Sequence, residues 1–165
     1  MAAHEDTTRV YDLAENIGVC MLVSKAGAAL RARPMHAKVD RETDVITFLT
    51  DARHHKDDEI AADPDVCLAF AKPGSQNYVS ISGVAEVLND RAAIKDRFNE
   101  MAKVWFPEGA DDPNVRLLVV RPQSAEYWDG KTNPITVAFE IVKARMSSER
   151  PDMGDNRKVA MGGRS

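Results

Sequence analysis

Apolar and polar positions alternate with a period of two over much of this chain, the mark of half-buried strands, and keep a helical period in only a few places. Residues 7–17 (TTRVYDLAENI) set Val10, Leu13 and Ile17 at helical spacing behind a Thr cap. GVCMLVS (18–24) reads as a short apolar strand and KAGA as a turn. ALRARPMHAKV (29–39) alternates as a second strand, with Pro34 marking an edge or a bulge. VITFLT (45–50) follows, rich in β-branched and aromatic residues, and DARHHKDDEIAAD (51–63) reads as a loop running into a short helix. VCLAFAK (66–72) and NYVSISGVAEVL (77–88) are further strands, the second with Gly83 predicting a bulge or a close backbone approach. Residues 90–104 predict a helix capped by Asp90, with Ile94, Phe98, Met101, Ala102 and Trp105 on one face. VRLLVV (115–120), AEYWD (125–129) and ITVAFEIVKA (135–144) predict three more strands. Five to seven strands at hairpin spacing with three helices make a mainly β fold, a β-barrel with helical additions.

Composition changes this picture little. With 165 residues, residues 1–145 suit one domain, while the polar, Gly- and Ser-rich stretch 146–165 predicts a disordered tail. Acidic residues number 26 against 22 basic, a net charge of −4, which argues against a general nucleic-acid or anionic-membrane surface. The N-terminus lacks an apolar stretch of signal-peptide type, and no run approaches membrane-spanning length, so the expectation is a cytoplasmic protein. Cys20 and Cys67 stand 47 residues apart without metal-ligand spacing, which predicts buried free thiols and no metal site.

Three segments bear on chemistry. On a strand, Arg31, Arg33 and Met35 share one face while His36 and Lys38 share the other, unless a bulge at Pro34 reverses the relation; taken alone, the segment is better explained as a solvated barrel strand with outward charges. Thr50-Asp51-Ala52-Arg53-His54-His55-Lys56, at a strand-to-helix junction, offers a hydroxyl and cations of the kind a phosphate dianion requires. Tyr78, Trp105, Phe106, Tyr127 and Trp128 form an aromatic set that core packing also explains. Glycine-rich phosphate loops, GxSxG and HExxH are all missing, so dinucleotide, P-loop and hydrolytic chemistry lack support.

Taken in order, RPMHAK (33–38), FLTDARHHK (48–56), SISGVAEV (80–87) and SAEYWDG (124–130) resemble the flavin-binding split barrels of the pyridoxamine 5′-phosphate oxidase superfamily, most of all its general stress protein branch. The resemblance covers residues 7–144. It implies a six-stranded antiparallel split barrel, a homodimer, and FMN bound at the dimer interface. By position, the family's basic strand pattern falls on Arg33 and Lys38, with Pro34 and Met35 between them. Its strand-end pair falls on Leu49 and Thr50, and its phosphate-binding basic pair on His55 and Lys56, beside His54. Its flavin-side tryptophan falls on Trp128, and Tyr78 joins it as an aromatic surface for the ring.

The vitamin site of the authentic oxidases does not carry over. Their Arg-x-His signature beyond the tryptophan has no counterpart in DGKTNPITVA (129–138), which holds neither Arg nor His. The resemblance therefore implies an FMN-dependent oxidoreductase of an unidentified small molecule rather than a pyridoxamine phosphate oxidase. Two alternatives remain open: a flavin-binding or redox-buffering stress protein without catalysis, and a relative binding haem or a deazaflavin.

Overall fold

The computed structural model describes residues 2–54, 56–130, 134–147 and 154–162. The chain begins with helix α1 (Ala2–Ile17), then strands β1 (Val19–Ala26), β2 (Ala29–His36), β3 (Lys38–Asp40) and β4 (Val45–Asp51). A single 3₁₀ turn, Ala52–His54, leads into α2 (Lys56–Ala62), followed by β5 (Asp65–Lys72) and β6 (Asn77–Leu88). Two short helices, α3 (Arg91–Arg97) and α4 (Ala102–Trp105), precede the 16-residue strand β7 (Val115–Gly130), helix α5 (Pro134–Ser147) and strand β8 (Gly154–Ala160).

All strand pairs are antiparallel, in the order β2-β1-β5-β6-β7-β4-β3, with β8 added to β7. β2 and β3 are two halves of one run separated only by Ala37, so the barrel proper has six strands, as the mainly β split-barrel expectation has it. The first half pairs with β1 (Cys20 opposite Met35) and the second with β4 (Val39 opposite Ile46). This run closes the barrel by changing partners midway.

The core follows from strand alternation. Leu22 of β1, Phe48 of β4, Leu68 and Phe70 of β5 and Ile81 of β6 all point inward. Val10, Leu13 and Ala14 of α1 pack against them. β4 is buried along its whole length because its second face is also covered: Val45 and Leu49 pack beneath Ile94 and Phe98 of the α3 region.

β6 and β7 explain a difference from the sequence reading, which split β7 in two. Ser82 pairs with Ser124 but Gly83 with Pro122, so Gln123 is an extra residue on β7. That bulge shifts the inward set from odd positions (Ala125, Tyr127) to even ones (Leu118, Val120). Gly83 permits it, since a Cβ there would lie 2.5 Å from the Arg121 carbonyl oxygen.

Three other expectations are corrected. The 90–104 helix breaks after Arg97, because the Asn99 side chain accepts from the Ala102 amide at 2.9 Å and starts a new turn. Ile94 and Phe106 are buried, whereas Met101 and Trp105 point outward. Residues 135–144 are helical despite their β-branched content. β6 takes one edge of β7 and β4 and β8 divide the other, so no neighbouring edge remains, while Ala138, Glu140, Lys143 and Ala144 favour helix. Finally, the expected disordered tail contains β8, which pairs with Ser124–Gly130 and buries Val159 and Met161. Two inward apolar residues among exposed charges suffice once a strand edge is waiting; periodicity alone could not reveal them.

Removing residues 154–165 is therefore expected to lower unfolding stability by at least ~3 kcal/mol, from two buried side chains and an uncovered strand edge. Urea denaturation of the chain ending at residue 153 checks this; a loss below ~0.5 kcal/mol would contradict it.

Candidate functional site

The change of partner at Ala37 creates an opening. β3 accompanies β4 only along Val45–Thr47, and β2 stays with β1, so β2 and the end of β4 diverge. Between them the sheet is open, and Glu59 of α2 is tied to Arg31 and Arg33 on the β2 side. Alternation runs through Pro34 without a register shift. Met35 is thus buried inward with Arg31 and Arg33 on its side, while Pro34 and Lys38 are exposed on the other face. On β4, Thr50 is buried inward and Leu49 is half-buried outward, against the α3 cluster.

Ion pairs fix the mouth. Arg31 Nη1 donates to Glu59 Oε1 at 2.9 Å and Arg33 Nη2 to Glu59 Oε2 at 2.7 Å, with Ser24 Oγ donating at 3.3 Å. The hydrogen bond from Arg33 is the main reason that the Glu59 carboxyl is held below its usual range. Lys25 and Asp63 form a second clasp at 2.8 Å. Both clasps tie α2 to the β1–β2 hairpin. Arg33 is thus occupied by a carboxylate of its own chain, a role the local sequence did not show.

Asp51 organises the strand end. Its carboxylate accepts from the Arg53 amide at 2.9 Å, from Arg53 Nε at 2.9 and 3.0 Å and from Nη2 at 2.5 Å. These bonds hold its pKa down at about 2. Arg53 is folded back in this way, and His54 is left exposed with its Nδ1 3.9 Å from Asp51. Lys56 opens α2, and His55 lies outside the described residues.

The aromatic candidates lie elsewhere. Tyr78 and Trp128 are direct cross-strand neighbours on the outer sheet face, Tyr78 half-buried and Trp128 exposed. Trp128 is twelve residues along β7 from Arg116, the partner of Thr50, which is roughly 35–40 Å of strand. Four strand spacings separate it from β2, roughly 19 Å. One protomer sets Arg33, Pro34, Met35, Lys38, Leu49, Thr50, His54 and Lys56 on β2, β3, β4 and the turn into α2 but not on one face: Met35 and Thr50 lie inward, Pro34 and Lys38 on the other face, and Leu49 against the α3 cluster, with Tyr78 and Trp128 apart from them all.

The cleft's chemistry fits a flavin mononucleotide. Core residues Met35 and Phe48 close its inner side, Thr50 is buried beside them, and exposed His54 and then Lys56 follow in the chain beyond the strand end. A cavity of about 570 Å³ beside α2 fits less well, since Asp57, Asp58 and Glu86 outnumber the one cation of its lining, Arg116. Among the described residues, no group of three His, Cys, Asp or Glu could hold a metal ion. Cys20 is buried, its thiol pushed up to about 12 by desolvation, and Cys67 is partly buried; both are free. No described helix is long and apolar enough to cross a membrane.

A family model described as pyridoxamine 5′-phosphate oxidase like matches residues 5–152. General stress protein 26 of Bacillus subtilis is 30% identical over 93 residues, 53% of this chain and 65% of that protein. Protein bli-3 of Neurospora crassa is 20% identical over 123 residues, 70% of this chain and 59% of that protein. The chain thus spans about three fifths of the length of the curated relatives it matches. Among solved structures, one from Jannaschia sp. CCS1 assigned to general stress protein 26 superposes with a TM-score of 0.81 and 29% identity, covering 98% of this chain and 100% of that one. The general stress FMN/FAD binding protein of Xanthomonas citri has the same fold, with a TM-score of 0.69, 24% identity and 79% and 92% coverage.

The Asp51–Arg53 pair yields a pH prediction. The folded pKa of Asp51 lies below the unfolded value of about 3.9, so its contribution is complete above about pH 4 and is lost as the pH falls towards 2. Asp51→Asn is expected to cost ~1 kcal/mol at pH 7, a modest figure because Arg53 is largely exposed to screening solvent. The difference from wild type should close between about pH 4 and 2. Thermal melts across that range test it, and a gap that stays constant would remove Asp51 ionisation as the cause.

Proposed function

The chain belongs to the pyridoxamine 5′-phosphate oxidase like family, and from that premise we propose that it is a cytoplasmic FMN-binding protein, a homodimer, acting as a flavin-dependent oxidoreductase on a small molecule other than pyridoxamine phosphate. The observation that carries this reading is the divergence of β2 from the end of β4, with exposed His54 in the turn that follows β4 and Lys56 opening α2 beyond it. The FMN/FAD binding described for the Xanthomonas citri protein of the same fold supports it.

FMN, when bound, supplies the redox centre that accepts and passes on electrons. The protein's own part is binding and orientation. Pro34 offers exposed apolar surface to a flat ring, Met35 backs the strand from its buried face, and Thr50 lies near the end of β4. Lys56, with His54 and His55, offers positive charge to a phosphate. Lys38 stands on the exposed face of β3, where its ammonium can stabilise negative charge on a ring edge. Arg33 contributes indirectly, since it holds Glu59 and with it the position of α2. Tyr78 and Trp128 lie on a different part of the sheet, and in the homodimer of this reading a second copy would bring them to such a ligand.

Purified protein is expected to show a flavin spectrum and to bind FMN at least tenfold more tightly than riboflavin. Lys56→Ala should weaken FMN by ~1.5–3 kcal/mol while leaving riboflavin unaffected. Equal affinities for the two flavins would refute the phosphate cradle, and a Soret band or a deazaflavin spectrum would replace FMN altogether.

A second expectation concerns substrate. A phosphorylated vitamin beside FMN needs cations of its own, because burying an uncompensated dianion is prohibitive. Between Trp128 and Ala138 the sequence has one cation, Lys131. On α3, Arg97 is committed to Asp40 and Asp96, and Arg91 to the Asp112 and Val115 carbonyls. FMN-loaded protein with oxygen and pyridoxamine 5′-phosphate should form no aldehyde at ordinary enzyme rates. Aldehyde formation at such rates would overturn this assignment.

A further inference from the structure

Among the described residues, helix α5 adds no side chain to either apolar core cluster. It leaves the sheet after Gly130 and returns at Gly154, two residues paired directly across β7 and β8, so it stands as an arm on a closed hairpin base. Phe139, Val142 and Met146 are 65%, 56% and 85% exposed, and their spacing puts them on one helical face, with Ile141, 40% exposed, on the other. They belong to neither apolar core cluster. A lone helix of 14 residues is marginal in water, and apolar side chains at this exposure do not stabilise it.

A second uncovered apolar surface starts at the base of the arm. The outer face of β1, β5, β6 and the end of β7 lacks the helical cover that α3 gives β4. Val19, Met21 and Trp128 are 37–40% exposed there. We infer that α5 is a dimerisation arm, its Phe139–Val142–Met146 face seated on the outer sheet face of a second copy of this chain. This rests on the homodimer proposed above and names the element that makes it.

The area agrees. Scaled by fractional exposure, these six side chains present roughly 700 Å², close to the ~800 Å² that each partner contributes to a standard interface. Both surfaces belong to one chain, so a two-fold axis uses each twice and closes the assembly at two copies. A lipid surface fits less well. The described part of α5 carries Glu140 among Lys143 and Arg145 rather than a basic face, and the whole chain is net acidic.

Sedimentation velocity over a concentration series tests the arm on three proteins: the wild type, the Phe139→Asp/Met146→Asp variant, and a chain with 134–147 replaced by a Gly/Ser linker. The wild type should be a dimer, and both variants should dissociate at least tenfold more readily with an unchanged monomer melting temperature. A monomeric wild type would sink the homodimer and the arm together. A dimeric wild type with unaltered variants would sink the arm alone. A lowered monomer melting temperature in the linker chain would show that α5 packs on its own chain, against the inference. So would wild-type cosedimentation with phosphatidylserine–phosphatidylcholine vesicles that the Asp variant loses. As a positive test, a photo-crosslinking residue at Val142 should couple to β1 or β5 of the other copy; crosslinks confined to its own chain would contradict the arm.

Discussion

Residues 29–40 must serve two neighbours with one backbone. A strand has two edges, and this run gives its first half to β1 and its second half to β4, with the change at Ala37. Closing the barrel this way forces β2 and the end of β4 apart, because both cannot keep hydrogen-bonding distance once the run has turned. The cleft is therefore a consequence of closure rather than an addition to it. Everything proposed for ligand binding depends on that divergence, since it alone brings Met35 and Thr50 to one opening.

Charge then fixes what sheet geometry leaves loose. α2 is only seven residues long and buries a single apolar side chain, Ile60, in the main core. Its position rests on Glu59 held by Arg31 and Arg33, and on Asp63 held by Lys25. These pairs form between elements distant in sequence, at the rim of the cleft, where burial is partial and the partners are strongly hydrogen-bonded. On the opposite wall, Arg97 donates to both Thr47 and Asp40, holding α3 over β4. The cleft is thus framed by short helices that polar contacts, more than apolar burial, keep in register with the strands.

The distance between the two groups of candidate residues has a functional meaning. Along the sheet, Trp128 lies four strands from β2 and twelve residues along β7 from Arg116, the partner of Thr50. If both groups serve one ligand, the proposed homodimer brings them together. The uncovered sheet face and α5 are then parts of the site's construction rather than idle surface.

The residue pattern by itself determined a good deal. Period-two alternation placed most strands, because a half-buried strand must alternate whatever its neighbours are. Asp90 and Gly83 announced a cap and a bulge through their own stereochemistry. The order of the motifs carried the family. Tertiary structure decided what depends on partners distant in sequence. It made 135–144 helical by leaving that segment no strand edge, and it made 154–160 a strand by offering it one. It joined 115–120 to 125–129 across a bulge that inverts the inward set. It turned Arg33 from a free cation into an anchor for Glu59, and Arg53 into a partner of Asp51. In each case the local sequence permits either outcome, and the choice falls to whichever edge, core or countercharge the rest of the fold brings within reach.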